Sequence, residues 1–242
     1  MPPRTALVTG AGRAAGLGFA VARRLAELDH HVVLTARDPA AVEPLAERLR
    51  QEGHAATALR LDLSDRASID EVADHLTRTF DQLDVLINNA SAMPDFRTLS
   101  ALDADMDTVR SAMDVSVIGP WALTQAVLPL LTAAPAARIV NVSSLAAQQI
   151  ATGFDLGAPL RSPAYSMAKY TLNALTEVLA RALADTPILV NAVDPGNTAT
   201  HPERDDPEDR PASESAEDIT RAATLSPTGP TGQLFSREHP VL

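Results

Sequence analysis

Short apolar runs recur along the chain, and each is followed by a longer stretch in which apolar residues return every three or four positions. The runs are Leu7–Val8, His31–Thr35, Ala58–Leu61, Asp84–Ile87, Arg138–Val142 and Ile188–Val193. Their brevity predicts buried strands. The stretches between them, such as Val21–Leu28 (Val-Ala-Arg-Arg-Leu-Ala-Glu-Leu), have the period of amphipathic helices. Strand and helix alternating in this way imply right-handed βαβ units. The pattern therefore predicts an α/β fold, a doubly wound parallel sheet of about seven strands with helices on both faces. One segment breaks the pattern. Residues 201–215, rich in proline and carboxylates, have no apolar face to bury and read as a mobile loop between the sixth strand and the last helix. No repeat or linker divides the remainder, so residues 1–242 read as one domain.

Composition narrows the function. The chain has 242 residues, is 45% hydrophobic and contains no cysteine, which excludes disulfides, thiolate metal sites and cysteine nucleophiles. No run of 18 apolar residues suggests a membrane span. Met-Pro-Pro-Arg leads straight into the first strand without a charged-then-apolar leader, so a cytoplasmic protein is expected. A formal net charge of −11 argues against nucleic acid as a partner, because phosphate backbones need clustered Lys and Arg. Histidines 30, 31, 54, 75, 201 and 239 are scattered without ligand spacing, and no metal site is expected.

The chemistry gathers elsewhere. Tyr165 and Lys169 stand four apart, which on a helix places them one above the other, about 5–6 Å between Cβ atoms. A neighbouring ammonium favours phenolate over phenol. A free tyrosine titrates near ~10 and each pH unit is worth ~1.36 kcal/mol, so an acid working at neutrality needs roughly 4 kcal/mol of such help. Ser144 lies upstream at the end of the fifth predicted strand. Between the first strand and first helix, Gly10, Gly12, Gly16 and Gly18 form a turn whose backbone N–H groups and helix N-terminus suit a diphosphate. After the second strand comes Thr35-Ala36-Arg37-Asp38. Ala36 leaves empty the position of a carboxylate that would hold ribose hydroxyls, and Arg37 suits a 2′-phosphate. The expected cofactor is accordingly NADP(H), with NADPH preferred over NADH. Asp38, before Pro39, reads as a helix cap.

At this point the residues resemble the short-chain dehydrogenase/reductase family, in its carbonyl-reductase-like branch, across nearly the whole chain. Thr9-Gly10 through Gly16-Leu17-Gly18 looks like the family's cofactor loop, Asp62-Leu63 like its adenine contact, and Asn88-Asn89-Ala90 like its fourth-strand motif. Val142-Ser143-Ser144 precedes Tyr165-x-x-x-Lys169. Asn191 through Pro195-Gly196, with Thr198 and Thr200, resembles its nicotinamide-side turn. The resemblance implies a Rossmann fold and hydride transfer between nicotinamide and a small-molecule carbonyl or alcohol. It implies Tyr165 as acid or base, Ser144 as hydrogen-bond partner of the substrate oxygen, and Lys169 as the group that lowers the tyrosine pKa and holds the nicotinamide ribose. Alternatives on the same scaffold are a dinucleotide-binding sensor or scaffold without turnover, and an epimerase or dehydratase.

Four departures stand out. The glycine loop is two residues longer than the family's Gly-x-x-x-Gly-x-Gly. This is similar to the enoyl-reductase branch, whose Tyr-to-Lys spacing the chain does not share, and it bears on Arg13 as a phosphate ligand. Ser91 replaces the glycine after Asn-Asn-Ala. Ser116 replaces the family's asparagine at a helix kink, whose backbone carbonyl holds a water near the lysine. Pro120, having no N–H, is expected to free the Ser116 carbonyl for that role. Finally, the Asp-Gly-Gly ending of many family tetramers is absent, so the dimer or tetramer implied by the resemblance is not carried by that motif. Three segments, 91–103, 145–163 and 197–215, are expected as substrate loops at the strands' carboxyl ends. Gln148, Gln149, Ile150, Phe154, Leu156 and Leu160 read as pocket wall or lid, and Met93, Phe96 and Trp121 as packing residues.

Overall fold

Every predicted apolar run is a strand in the computed structural model, which describes residues 4–151, 161–200, 209–236 and 239. The chain runs β1 (Arg4–Val8), α1 (Leu17–Glu27), β2 (His30–Ala36), α2 (Pro39–Gln51), β3 (Ala56–Arg60), α3 (Arg66–Thr79) and β4 (Val85–Asn88). Then come α4 (Met106–Met113), a π-helical turn (Asp114–Ile118), α5 (Gly119–Ala126), α6 (Leu128–Ala133), β5 (Arg138–Val142), α7 (Leu145–Ala151), α8 (Pro163–Ala182) and β6 (Leu189–Val193). The last elements are β7 (Thr198–Ala199), β8 (Arg210–Pro211), α9 (Ala212–Ala223) and β9 (Leu234–Phe235). Seven strands form one sheet in the order β3-β2-β1-β4-β5-β6-β9, and every pairing is parallel. The order reverses beside β1, where β2 and β4 flank it with Val8 opposite both Leu34 and Ile87.

Alternate strand residues supply two cores, as the period of two requires. Ala6, Val8, Val32 and Leu34 pack with α1, α2 and α9 on one face. Leu7, Val33, Leu86, Ile139 and Val190 pack on the other with α3, α5 and α6. Each such side chain, taken fully out of water, contributes about 1.5–3 kcal/mol. The ion pairs of the helices, such as Arg66–Asp70, are solvent-exposed and contribute about 0–1 kcal/mol each. The cores thus carry the fold. A third apolar cluster, Ala112, Val117, Ala164, Ala168, Leu172 and Leu175, joins α4, the π turn and α8. No helix among the described residues is long and apolar enough to cross a membrane.

Two loop assignments need correction. Residues 210–215 are ordered structure: Arg210–Pro211 pairs in parallel with Thr198–Ala199, and α9 starts at Ala212 with Ser215 fully buried. The stripe Ala216, Ile219, Ala222 and Ala223 buries this helix, and Glu214 in its first turn suits the positive end of the helix dipole. In the second, Leu145–Ala151 is helical and carries Gln148, Gln149 and Ile150, while α8 starts at Pro163. The rest of the lid expectation (Phe154, Leu156, Leu160) and residues 201–208 lie outside the described residues. Met93, Phe96 and Trp121 are exposed (43%, 59% and 40%) instead of packed in the core.

Candidate active site

The carboxyl ends of β1, β4 and β5 are tied together by side chains before any chemistry is added. Thr9 Oγ1, itself bonded to Ile87 O, accepts the backbone N–H groups of Asn89 and Ala90, each at 3.0 Å. Asn89 Nδ2 returns hydrogen bonds to Thr9 O (2.8 Å) and Gly10 O (3.2 Å). A buried relay then runs across the sheet. Asn88 donates to Asn141 (2.8 Å), Asn141 to Thr176 (2.9 Å), and Thr176 to Leu172 O. It fixes α8 against β4 and β5, since a buried amide left unpaired would cost about 1–3 kcal/mol.

The glycine turn is a close-fitting cradle. Gly10 has φ +70°, and a Cβ there would sit 2.7 Å from Ala90 Cα. A Cβ on Gly12 would meet the Ala36 methyl at 2.8 Å, and one on Gly18 would meet Gly10 O at 2.5 Å. Only glycine lets the backbone approach so closely. The two extra residues of the loop are absorbed in an exposed turn, closed by the Gly16 N–H on Arg13 O at 2.9 Å. Helix α1, which includes Leu17 and Gly18, begins at Gly16 without a side-chain cap. A backbone-lined turn under an uncapped helix N-terminus fits a diphosphate. Arg37 is exposed at the end of β2. It faces Asp62, whose carboxyl is held below the usual range by Ser64 first and by Arg37 and Arg60 further off. Asp38 caps α2 through Ala40 N–H, as expected. Leu63 is buried, and its carbonyl abuts Gly119.

Tyr165 and Lys169 lie in the first turns of α8, and the structure brings Ser144 and Ser91 to the tyrosine hydroxyl. Burial pushes the Tyr165 hydroxyl up, and hydrogen bonds with Ser144 and Ser91 oppose the rise. Lys169 Nζ, whose ammonium is expected to favour the phenolate, donates to Val142 O at 2.6 Å and lies 5.7 Å from the Tyr165 ring centroid. The lysine is itself 2% exposed, and burial lowers its pKa to about 8 against the attraction of Asp194. The aspartate is buried too and its pKa is raised by that burial; its carboxylate accepts the Gly196 N–H at 2.9 Å.

The Pro195–Gly196 turn is braced from below. Gly196 has φ +71°, and Thr198 Oγ1 sits 2.9 Å from Ser215 Oγ. Arg210 donates to Pro195 O (3.0 Å) and to Asp218 (2.7 Å). Thr200 is half-buried beside the paired Thr198–Ala199. Ser116 is fully buried in the π turn, where Gly119 N–H bonds back five residues to Asp114 O. Its hydroxyl lies 3.1 Å from Ser91 Oγ.

Two participants escaped the sequence reading. Asp95, 3% exposed, accepts the Ala164 N–H at 2.6 Å and the Tyr165 N–H at 3.4 Å. It caps α8 from 69 residues away, so no local pattern could reveal it. Asp194 was visible only as part of a motif. Lys169, which the sequence did reveal, is also the only lysine in a chain with 20 basic residues. A separate cleft of about 310 Å³, lined by Arg4, Asp84 and Arg138, opens at the opposite, amino ends of β1, β4 and β5, away from Tyr165.

Comparison with known proteins agrees with this fold. The family model for short chain dehydrogenase matches residues 4–211. Oxidoreductase UcpA of Escherichia coli K12 is 34% identical over 197 residues, 81% of this chain and 70% of that protein. The NADP-dependent 3-hydroxy acid dehydrogenase of Schizosaccharomyces pombe is 32% identical over 199 residues, 81% of this chain and 72% of its own length. Among solved structures, the E. coli oxidoreductase yciK superposes with a TM-score of 0.82 at 26% identity, covering 96% of this chain and 94% of that one. A Shigella flexneri structure complexed with NADP superposes at 0.85, covers 97% of each chain and, at 24% identity, shares the fold.

Proposed function

The chain belongs to the short-chain dehydrogenase family of oxidoreductases, and we propose that it is an NADP(H)-dependent enzyme interconverting a ketone or aldehyde with its alcohol. The observation that carries this reading is the Tyr165 hydroxyl, half-buried beside Ser144 with a buried lysine one helical turn on.

The glycine turn (Gly10, Gly12, Arg13, Gly16, Leu17, Gly18) would hold the diphosphate and Arg37 the 2′-phosphate. Asp62 and Leu63 would hold the adenine, and Asn89, Ala90, Pro195, Gly196, Thr198 and Thr200 the nicotinamide end, with Lys169 on its ribose. When bound, the reduced cofactor supplies hydride to the carbonyl carbon. The protein's part is the proton and the charge. Burial keeps Tyr165 protonated at neutral pH, so it meets the substrate as an acid. Ser144 donates a hydrogen bond to the oxygen on which negative charge develops. As the phenolate forms, the ammonium of Lys169 stabilises it in a site of low dielectric. Pro120 opens α5 and, lacking an N–H, cannot bond the Ser116 carbonyl four residues back, so that carbonyl is assigned to a water behind Lys169. Support for NADP comes from Arg37 at the β2 end and from the NADP-dependent relative.

The test is NADPH oxidation with a panel of aryl and alkyl ketones. Wild type should turn over at least one, and Tyr165→Phe should lose about 100-fold or more while still binding NADPH. Arg37→Ala should raise the KM for NADPH about tenfold, a charge-assisted contact's worth, and leave that for NADH unchanged. Cofactor binding without turnover across the panel would instead favour a dinucleotide sensor.

A further inference from the structure

Two of the positions at which this chain departs from the family pattern, 91 and 116, are neighbours in space. Ser91 Oγ lies 3.1 Å from Ser116 Oγ and is close enough to the Tyr165 hydroxyl to favour its phenolate form. The glycine usual at position 91 has no hydroxyl to offer either partner. Ser116 is fully buried in the π turn, whereas Ser91 is exposed where the 91–103 segment leaves β4. Ser91 therefore touches both the proposed acid and solvent. Lys169 is placed differently: it is 2% exposed and committed to Val142 O at 2.6 Å.

We propose that Ser91 is a catalytic residue of this chain, whose hydroxyl carries a solvent proton back to Tyr165 after each reduction; this rests on the reading of Tyr165 as the acid. In the reduction, the Tyr165 O–H bond breaks and its proton joins the carbonyl oxygen, whose carbon has received the hydride pair. A phenolate remains. Ser91 gives its hydroxyl proton to that phenolate oxygen and takes one from solvent, so that each alcohol formed consumes one solvent proton and no electron moves in the return step. Ser116 is a positioning residue: donating its own proton to Ser91 Oγ, it leaves the Ser91 hydrogen directed at Tyr165. The two serines then act as one unit and their effects should not add.

Three measurements on the full chain decide it. In steady-state reduction with NADPH, Ser91→Ala should lower kcat about tenfold, the worth of one good hydrogen bond, with KM little changed. Its solvent deuterium isotope effect should grow as proton return becomes slow. Ser91→Thr, which keeps a hydroxyl, should retain most of the rate. Adding Ser116→Ala to Ser91→Ala should cost nothing further. The third measurement needs neither cofactor nor turnover. Tyr165 and Tyr170 are the only tyrosines, so in a Tyr170→Phe background tyrosinate absorbance reports Tyr165 alone, and Ser91→Ala should move that titration upward. A Ser91→Ala enzyme with wild-type kcat and isotope effect overturns the proposal and leaves the proposed function standing, as does a loss confined to KM. An unmoved tyrosinate titration likewise overturns it. A wild type inert toward every carbonyl ends both together.

Discussion

At the scale of single residues, the chain uses its one lysine where an arginine could not serve. Arginine stays charged in any surroundings, whereas a buried lysine can shift its pKa. Burial brings Lys169 to about 8, so its charge is within reach of mild alkali. Below that pH the ammonium is present to stabilise a developing phenolate, and above it the help disappears. The kcat/KM of reduction should accordingly fall as pH rises through about 8. The same shift costs stability, and its sign is fixed. A folded-state pKa lowered from 10.5 to about 8 means that the unfolded chain binds the proton more tightly. The penalty is complete below about 8 and vanishes above the unfolded value, roughly 3 kcal/mol at ~1.36 kcal/mol per pH unit. Lys169→Met should therefore raise stability at pH 7 by roughly 1–3 kcal/mol once the lost bond to Val142 O is counted, read as a higher thermal midpoint. The gap to wild type should narrow as pH climbs. With no second lysine in the sequence, no other side-chain ammonium titrates to obscure the comparison. A Met variant less stable than wild type at pH 7 would contradict this account.

At the scale of elements, helix α8 is held by parts of the chain that sequence spacing does not connect. Ser162, at the N-cap position of α8, is in the left-handed region with φ 51° and makes no side-chain cap. The cap comes instead from Asp95, while Ser162 N–H bonds Thr98 O at 3.0 Å. The 91–103 segment thus clamps the turn that carries Tyr165. Asp95→Ala should cost about 1–2 kcal/mol of stability, the range for a lost helix cap. It should also lower kcat about tenfold by loosening Tyr165, and Asp95→Asn should recover much of both. The two are read by thermal denaturation and steady-state kinetics, and a variant with wild-type kcat would remove the clamp from the mechanism. These tertiary ties explain what the sequence left hidden. The six central strands are legible because buried parallel strands must be apolar along their length, and Tyr165 with Lys169 because helical spacing makes them neighbours. Asp95, the Ser91–Ser116 contact and the Thr198–Ala199 pairing with Arg210–Pro211 all depend on which distant segments meet. The start of helix α9 is hidden because Ser-Glu-Ser looks like loop, and Ser215 is buried by tertiary contacts, among them Thr198 Oγ1 at 2.9 Å.

At the scale of the whole molecule, the sheet gathers groups from across the chain onto one edge. The glycine turn, Asn89, Ser144 and the Pro195-Gly196 turn follow β1, β4, β5 and β6, and α8 lays Tyr165 across them. Such an edge, at the point where strand order reverses, is where doubly wound sheets place their ligands. Mutual bracing keeps it in shape: Thr9 with Asn89, Asn88 through Asn141 to Thr176, and Arg210 beneath Pro195. Rigid support of this kind is what positioned proton transfer requires. The central claim is that hydride reaches a carbonyl carbon here while Tyr165 supplies the proton. It is tested most directly with NADPH deuterated at the transferring position of the nicotinamide, a ketone found in the substrate panel, and mass spectrometry of the alcohol. Wild type should place deuterium on the carbinol carbon, and Tyr165→Phe should yield almost no labelled alcohol although the cofactor still binds. Alcohol formed without the label, or labelled alcohol made by the Phe variant at the wild-type rate, would contradict the account.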